Sequence, residues 1–94
     1  MAKSHMHNLE YSTQFKKDFR KITKRSIPDI VEVCRVISML QRDEPLGEKH
    51  VDHPLIGNWQ GFRDCHVMPD LVLIYRLHDG ALQLARIGSH SELF

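Results

Sequence analysis

The sequence predicts an α+β domain: a short N-terminal strand, a hairpin of two helices packed on one face of an antiparallel sheet, and a C-terminal three-strand meander. Three observations carry this. Apolar residues recur at helical spacing between Phe15 and Leu40, the pattern turns to strand-like runs after Trp59, and Asp79-Gly80 parts two of those runs as a hairpin turn does. A chain of 94 residues suits one domain with one core.

The opening MAKSHM resembles a cloning remnant or a disordered tail, so the domain is expected over residues 7–94, with Met6 a candidate natural start. Leu9-Glu10-Tyr11 reads as the first strand, followed by Ser12, a good helix-capping residue. From Ser12 to about Arg25, Phe15, Phe19 and Ile22 line one helix face and leave basic residues on the others. Ser26-Ile27-Pro28 opens the second helix, because proline is tolerated in a first turn. Ile30, Val33, Cys34, Ile37 and Leu40 give that helix a broad apolar surface. A polar loop of roughly ten residues follows Arg42, a length often kept for function. Pro54 biases His53 away from helical geometry. Strands then run from Trp59 to Val67, Leu71 to Leu77 and Leu82 to Ile87. Short turns make these three antiparallel, and the helix hairpin covers one sheet face while the other stays available.

Composition narrows the class. With 41% hydrophobic and 27% charged residues, the chain has the make-up of a folded domain rather than a disordered tail. No apolar run approaches the roughly 20 residues of a membrane span and no signal-peptide core is present, so a cytosolic protein with no membrane partner is expected. Cys34 and Cys65 are too few for a disulfide scaffold and read as small apolar residues. The net charge is +1, yet KKDFRKITKR over residues 16–25 holds Lys16, Lys17, Arg20, Lys21, Lys24 and Arg25 against Asp18 alone. This stripe is either a solvated helix face or a surface that tracks phosphates.

The stretch RDCHVMPD, residues 63–70, is too polar for an ordinary core strand. Alternation puts Phe62, Asp64 and His66 on one face and Arg63, Cys65 and Val67 on the other. A carboxylate beside an imidazole makes an acid–base candidate, since histidine ordinarily titrates near pH 6.5. His53, His66 and His90 lie on three segments able to converge at one sheet edge, whereas His78 sits in a hairpin turn and reads as surface. Zinc is disfavoured: His50 and His53 have ligand spacing, but Cys65 and His66, being adjacent, point to opposite faces. The chain lacks a glycine-rich phosphate loop, a G-x-S-x-G elbow and paired CxxC motifs, which removes nucleotide hydrolase, serine esterase and zinc-ribbon readings. A metal-free set of histidine, aspartate and arginine matches RNA cleavage by the 2′-hydroxyl, which needs a base, an acid and positive charge at the phosphorane.

The segments VDHPLIGNWQGFRDCHVMPDLVLIYRL and RIGSHSELF resemble the YafQ branch of the RelE/ParE toxin superfamily, and the likeness extends from about Leu9 to Phe94. The resemblance implies a RelE-like fold and a ribosome-dependent, metal-independent endoribonuclease without cofactors, cleaving mRNA in the A site of the 70S ribosome. It also implies a cognate antitoxin of the DinJ type. The family's functional positions fall on His53, His66, Asp70, His90 and Phe94, with Asp64 a supporting match. Proton transfer goes to His53 and His90, with base and acid left open. Substrate orientation and charge stabilisation go to His66 and Asp70, with Arg63 and Arg86 in support. A regular strand turns Arg63 away from the groove holding Asp64 and His66. Phe94 either stacks on a base, worth about 1–3 kcal/mol, or closes the core. Relatives can carry an aromatic residue after the turn aspartate, where this chain has Leu71. Two other readings compete: a ParE-like gyrase inhibitor, which has no need of the histidine–aspartate set, and a non-catalytic ribosome- or RNA-binding module.

Overall fold

The computed structural model describes residues 6–94, so the expectation for the first five residues lies outside it. Strand β1 (Asn8–Tyr11) ends at Ser12, whose hydroxyl accepts from the Phe15 amide at 2.9 Å and donates to the Ala85 carbonyl at 2.7 Å. One side chain thus caps helix α1 (Thr13–Ile22) and ties its start to strand β5 (Ala81–Gly88). Helix α1 stops three residues before the expected Arg25. Ser26, in extended geometry, caps helix α2 (Ile27–Gln41), so the chain must leave helical geometry ahead of it. Pro28 sits in the first turn of α2, as its missing amide hydrogen allows.

The loop after α2 contains more structure than expected. It forms a 3₁₀ turn at Glu48–His50 and a two-residue edge strand, β2 (His53–Pro54). Strand β3 (Arg63–Met68) begins four residues later than the sequence pattern indicates. Gly57 and Gly61 adopt φ of 69° and 92°, and Gly57–Trp59 forms a second 3₁₀ turn, so Trp59 belongs to a loop. Strand β4 (Leu71–His78) turns into β5 through Asp79 and Gly80, both at positive φ as a tight hairpin requires. A short helix α3 (His90–Leu93), absent from the sequence reading, follows β5.

The sheet order is β1-β5-β4-β3-β2, with β3, β4 and β5 forming the antiparallel meander and β1 pairing with β5 in parallel. The parallel edge follows from the course of the helices. Ser12 meets Ala85 and Asp18 meets Ile87, so α1 advances along β5 in the direction of β1, while α2 returns until the Gln41 carbonyl accepts from the His7 amide. Strand β3 therefore starts in the direction of β1, and two hairpins later β5 shares it.

The main core lies between helices and sheet, where Phe15, Ile22, Val33, Val36 and Leu40 meet Cys65, Leu73, Tyr75, Leu84 and Ile87. Cys65 is fully buried and burial pushes its thiol up to about 12, whereas Cys34 is exposed, against expectation. Val33, Val36 and Leu40 face the sheet, and a one-residue step turns Cys34 about 100° from Val33. The opposite face is partly roofed rather than open: Val72, Ile74 and Leu93 pack with Leu55, Trp59, Phe62 and Ala85. Among the described residues, no helix is long and apolar enough to cross a membrane.

Candidate active site

Three segments meet beside that second cluster. The β2–β3 register sets His53 across from Asp64, and strand alternation puts His66 on the same face of β3. His90 arrives from α3, whose first turn is closed by a capping box: the Glu92 amide donates to the Ser89 hydroxyl at 3.3 Å, and the Ser89 amide donates to the Glu92 carboxylate at 2.9 Å. All three histidines act electrostatically on Asp64.

Asp64 is 3% exposed. Burial raises its carboxyl above the ordinary carboxylate range, and the charges of His53, His66 and His90 partly oppose that rise. Oxygen Oδ1 lies 3.1 Å from His53 Nδ1 but receives no hydrogen bond in line. His53 Nδ1 instead donates to the Val51 carbonyl at 2.8 Å. A carbonyl only accepts, so this contact sets the neutral tautomer and leaves Nε2 as the ring's basic nitrogen. A buried acid within the electrostatic reach of three imidazoles, one held with Nε2 as a base, is equipped for proton transfer.

The fold meets its counterparts in known proteins. The family model described as a bacterial toxin of type II toxin–antitoxin system, YafQ, matches residues 7–94. The chain belongs to the YafQ toxin family. The mRNA interferase toxin YafQ of Escherichia coli K12 is 41% identical over 88 residues, covering 93% of this chain and 95% of that protein. A copper-bound mutant toxin from Helicobacter pylori superposes with a TM-score of 0.87 at 43% identity, covering 95% of this chain and 100% of that one. YafQ in the E. coli DinJ–YafQ toxin–antitoxin complex gives a TM-score of 0.83 at 40% identity, covering 95% and 98%.

Not every expected site residue of this YafQ-family chain joins the histidines. Asp70, exposed in the β3–β4 turn, pairs with Arg25 at 2.9 Å. Arg63 faces the helix side, as alternation requires, and donates to Asp52 at 3.2 Å. Arg86 donates to Asp18 at 2.7 and 3.1 Å. Phe94 stays half exposed with its ring 4.8 Å from that of His90, and it is Leu93 that closes the cluster. Leu71 is in the main core, where no ring could serve substrate. Lys16, Lys17, Arg20, Lys21 and Lys24 are exposed along α1 and the turn after it. Among the described residues, no cluster of three or more histidine, cysteine, aspartate or glutamate side chains is arranged to hold a metal ion.

Two acids of this YafQ-family chain carry more than the sequence reading gave them. Asp18, the lone acid of the basic stripe, is 5% exposed and accepts from Arg86, Gln14 and the Ile87 amide. Its position among Phe15, Phe19 and Ile22 was the signal, since residues three and four apart share a helix face. Asp52 accepts from Tyr75 at 2.7 Å and from Arg63, which anchors the loop carrying His53.

Proposed function

We propose that the chain is a ribosome-dependent, metal-independent endoribonuclease that cuts mRNA in the A site of the 70S ribosome. The observation that carries this is the placing of His53, His66 and His90 within electrostatic reach of the buried Asp64 carboxyl. The name of the E. coli relative, an mRNA interferase toxin, supports the same substrate.

In this reading His53 Nε2 takes the proton of the 2′-hydroxyl as that oxygen attacks phosphorus. His90 gives a proton to the departing 5′-oxygen, leaving a 2′,3′-cyclic phosphate and a 5′-hydroxyl. His66 donates a hydrogen bond to the phosphorane, Asp64 stabilises the imidazoles as they take up charge, and Phe94 stacks on a base, while Arg86 stays engaged with Asp18. Asp70 acts through its pair with Arg25, orienting the turn after α1 toward the RNA. The exposed lysines and Arg20 supply a hold on phosphates that does not depend on sequence. Work on ribosomes places the protein in the cytoplasm. A cognate antitoxin, as DinJ is to E. coli YafQ, neutralises it with acidic groups across α1 or the histidine groove.

The test is cleavage of a defined mRNA on programmed 70S ribosomes, with transition metals chelated and Mg²⁺ retained for the ribosome. Wild-type protein should give A-site cuts ending in a 2′,3′-cyclic phosphate, and His90→Ala should lower the rate ~10² to 10⁴-fold while ribosome binding persists. No cuts from folded wild-type protein would return gyrase inhibition or a non-catalytic binding module.

A further inference from the structure

His50 is a histidine that the acid–base scheme leaves unused, and it is 3% exposed. It lies on the helix side, between α2 and β3. Its Nδ1 donates to the His66 carbonyl at 2.6 Å, and its Nε2 accepts from Arg35 at 3.3 Å. Arg35 is itself gripped by Glu32 at 2.9 and 2.6 Å. With both ring nitrogens engaged and the ring covered, His50 has neither a site for substrate nor a spare proton position.

Its carbonyl partner is informative. Strand β2 pairs with β3 at residues 63 and 64 only, so the His66 carbonyl lies on the same edge beyond the reach of β2. The His50 ring replaces the missing strand there. It does so just where β3 breaks register between His66 and Met68.

The next residue carries strain. Val51 sits at φ 47° and ψ 46°, a left-handed conformation that a β-branched residue rarely adopts. Such a conformation persists only where its neighbours are held on both sides. His50 is held by His66 and Arg35, and Asp52 by Tyr75 and Arg63. The strained Val51 carbonyl is the one that receives the His53 Nδ1 hydrogen.

We propose that His50 is a positioning residue: by pinning the His66 carbonyl and the strained Val51 at once, it sets where His66 stands and which His53 nitrogen is the base. This rests on the nuclease reading only for its consequence in catalysis. The clamp itself is a property of the free protein.

The experiment uses His50→Asn, His50→Gln and His50→Phe in the full chain. Asparagine puts an amide donor near the place of Nδ1, glutamine near that of Nε2, and phenylalanine keeps the ring without either nitrogen. Side-chain ¹⁵N spectra read the His53 tautomer, and single-turnover cleavage on ribosomes reads kcat and KM separately. In wild type and His50→Asn, neutral His53 should carry its hydrogen on Nδ1. In His50→Gln and His50→Phe the two tautomers should mix, with kcat falling about 10²-fold at unchanged KM, the scale of a small misplacement of reacting groups. If phenylalanine prevents folding, the asparagine–glutamine contrast decides alone. Folded variants that all retain the wild-type His53 signature would overturn the proposal and leave His50 a packing residue. Loss of cleavage in wild type would defeat the nuclease reading while the tautomer contrast still judged the clamp.

Discussion

His53 Nδ1 lies 3.1 Å from Asp64 Oδ1, yet its hydrogen goes to the Val51 carbonyl at 2.8 Å. Histidine and aspartate are neighbours across two strands, but the buried carboxylate oxygen is left without a hydrogen bond. A partly satisfied buried acid costs stability, and such groups gather where chemistry needs them.

The first prediction concerns Asp64→Asn. Burial holds the Asp64 carboxyl above its unfolded value, so its charge destabilises the fold above the raised folded value, and the cost disappears as pH falls through it. The variant should gain about 1 kcal/mol, or roughly 4–8 °C in Tm, at pH 8. The gain should shrink as pH falls and vanish near pH 3, below the unfolded value of about 3.9. RNA cleavage should fall about 10²-fold in the same protein, because the imidazoles lose their counter-charge. Calorimetry at the two pH values, paired with the cleavage assay, checks both; a lower Tm at pH 8 would contradict the account.

Asp18 behaves in the opposite sense. Burial tends to raise its carboxyl, but the hydrogen bonds of Arg86, the Ile87 amide and Gln14 together hold it below the ordinary value. Its stabilisation is therefore complete above the unfolded value, about 3.9, and is lost as pH falls through the lowered folded value. Asp18→Asn should cost about 3 kcal/mol at pH 7, the low end for removing one partner of a buried ion pair. Urea titrations at pH 7 and pH 2.5 should show the two proteins converging in acid.

Leu93 and Phe94 are adjacent and should respond differently. Leu93→Ala opens the second cluster and should destabilise by about 2 kcal/mol, the lower range for a leucine in a small cluster. Phe94→Ala removes a half-exposed ring beside His90, so Tm should hold within ~2 °C, as for other surface changes, while binding or turnover of RNA loses about 1–3 kcal/mol. Equal effects of the two changes on Tm would show that Phe94 closes the core.

Cysteine chemistry offers a test of the packing. Cys34 is exposed, whereas Cys65 is fully buried with its thiol pushed up to about 12. Iodoacetamide at pH 8 should alkylate Cys34 in the native protein and reach Cys65 only after denaturation, since the thiolate is the reacting form. Peptide mass spectrometry reads the two sites separately.

Much of the site was legible because strand and helix periods are local properties. Alternation alone placed Asp64 with His66 and turned Arg63 away, and β3 does both. Caps were equally readable: Ser12, Ser26 and Pro28 sit where their chemistry puts them. The start of β3 was misread because Trp59 looks like a strand residue, and two glycines at positive φ override that preference. Helix α3 escaped notice because four residues are too few to show a period.

By itself, then, the sequence determined the order of the five longer elements and β1, the amphipathic faces, the family and the set of histidines available for chemistry. Tertiary structure decided what those side chains meet. It turned β1 into a parallel edge through the course of α1 and α2, buried Asp18 under Arg86, bound Asp70 to Arg25, and aimed His53 at a carbonyl two residues away rather than at Asp64. The reason is one of range: periodicity and capping are written in neighbours three or four residues apart. Partner choice depends on which groups the whole fold brings within reach, such as Asp18 and Arg86, 68 residues apart, or Arg25 and Asp70, 45 apart.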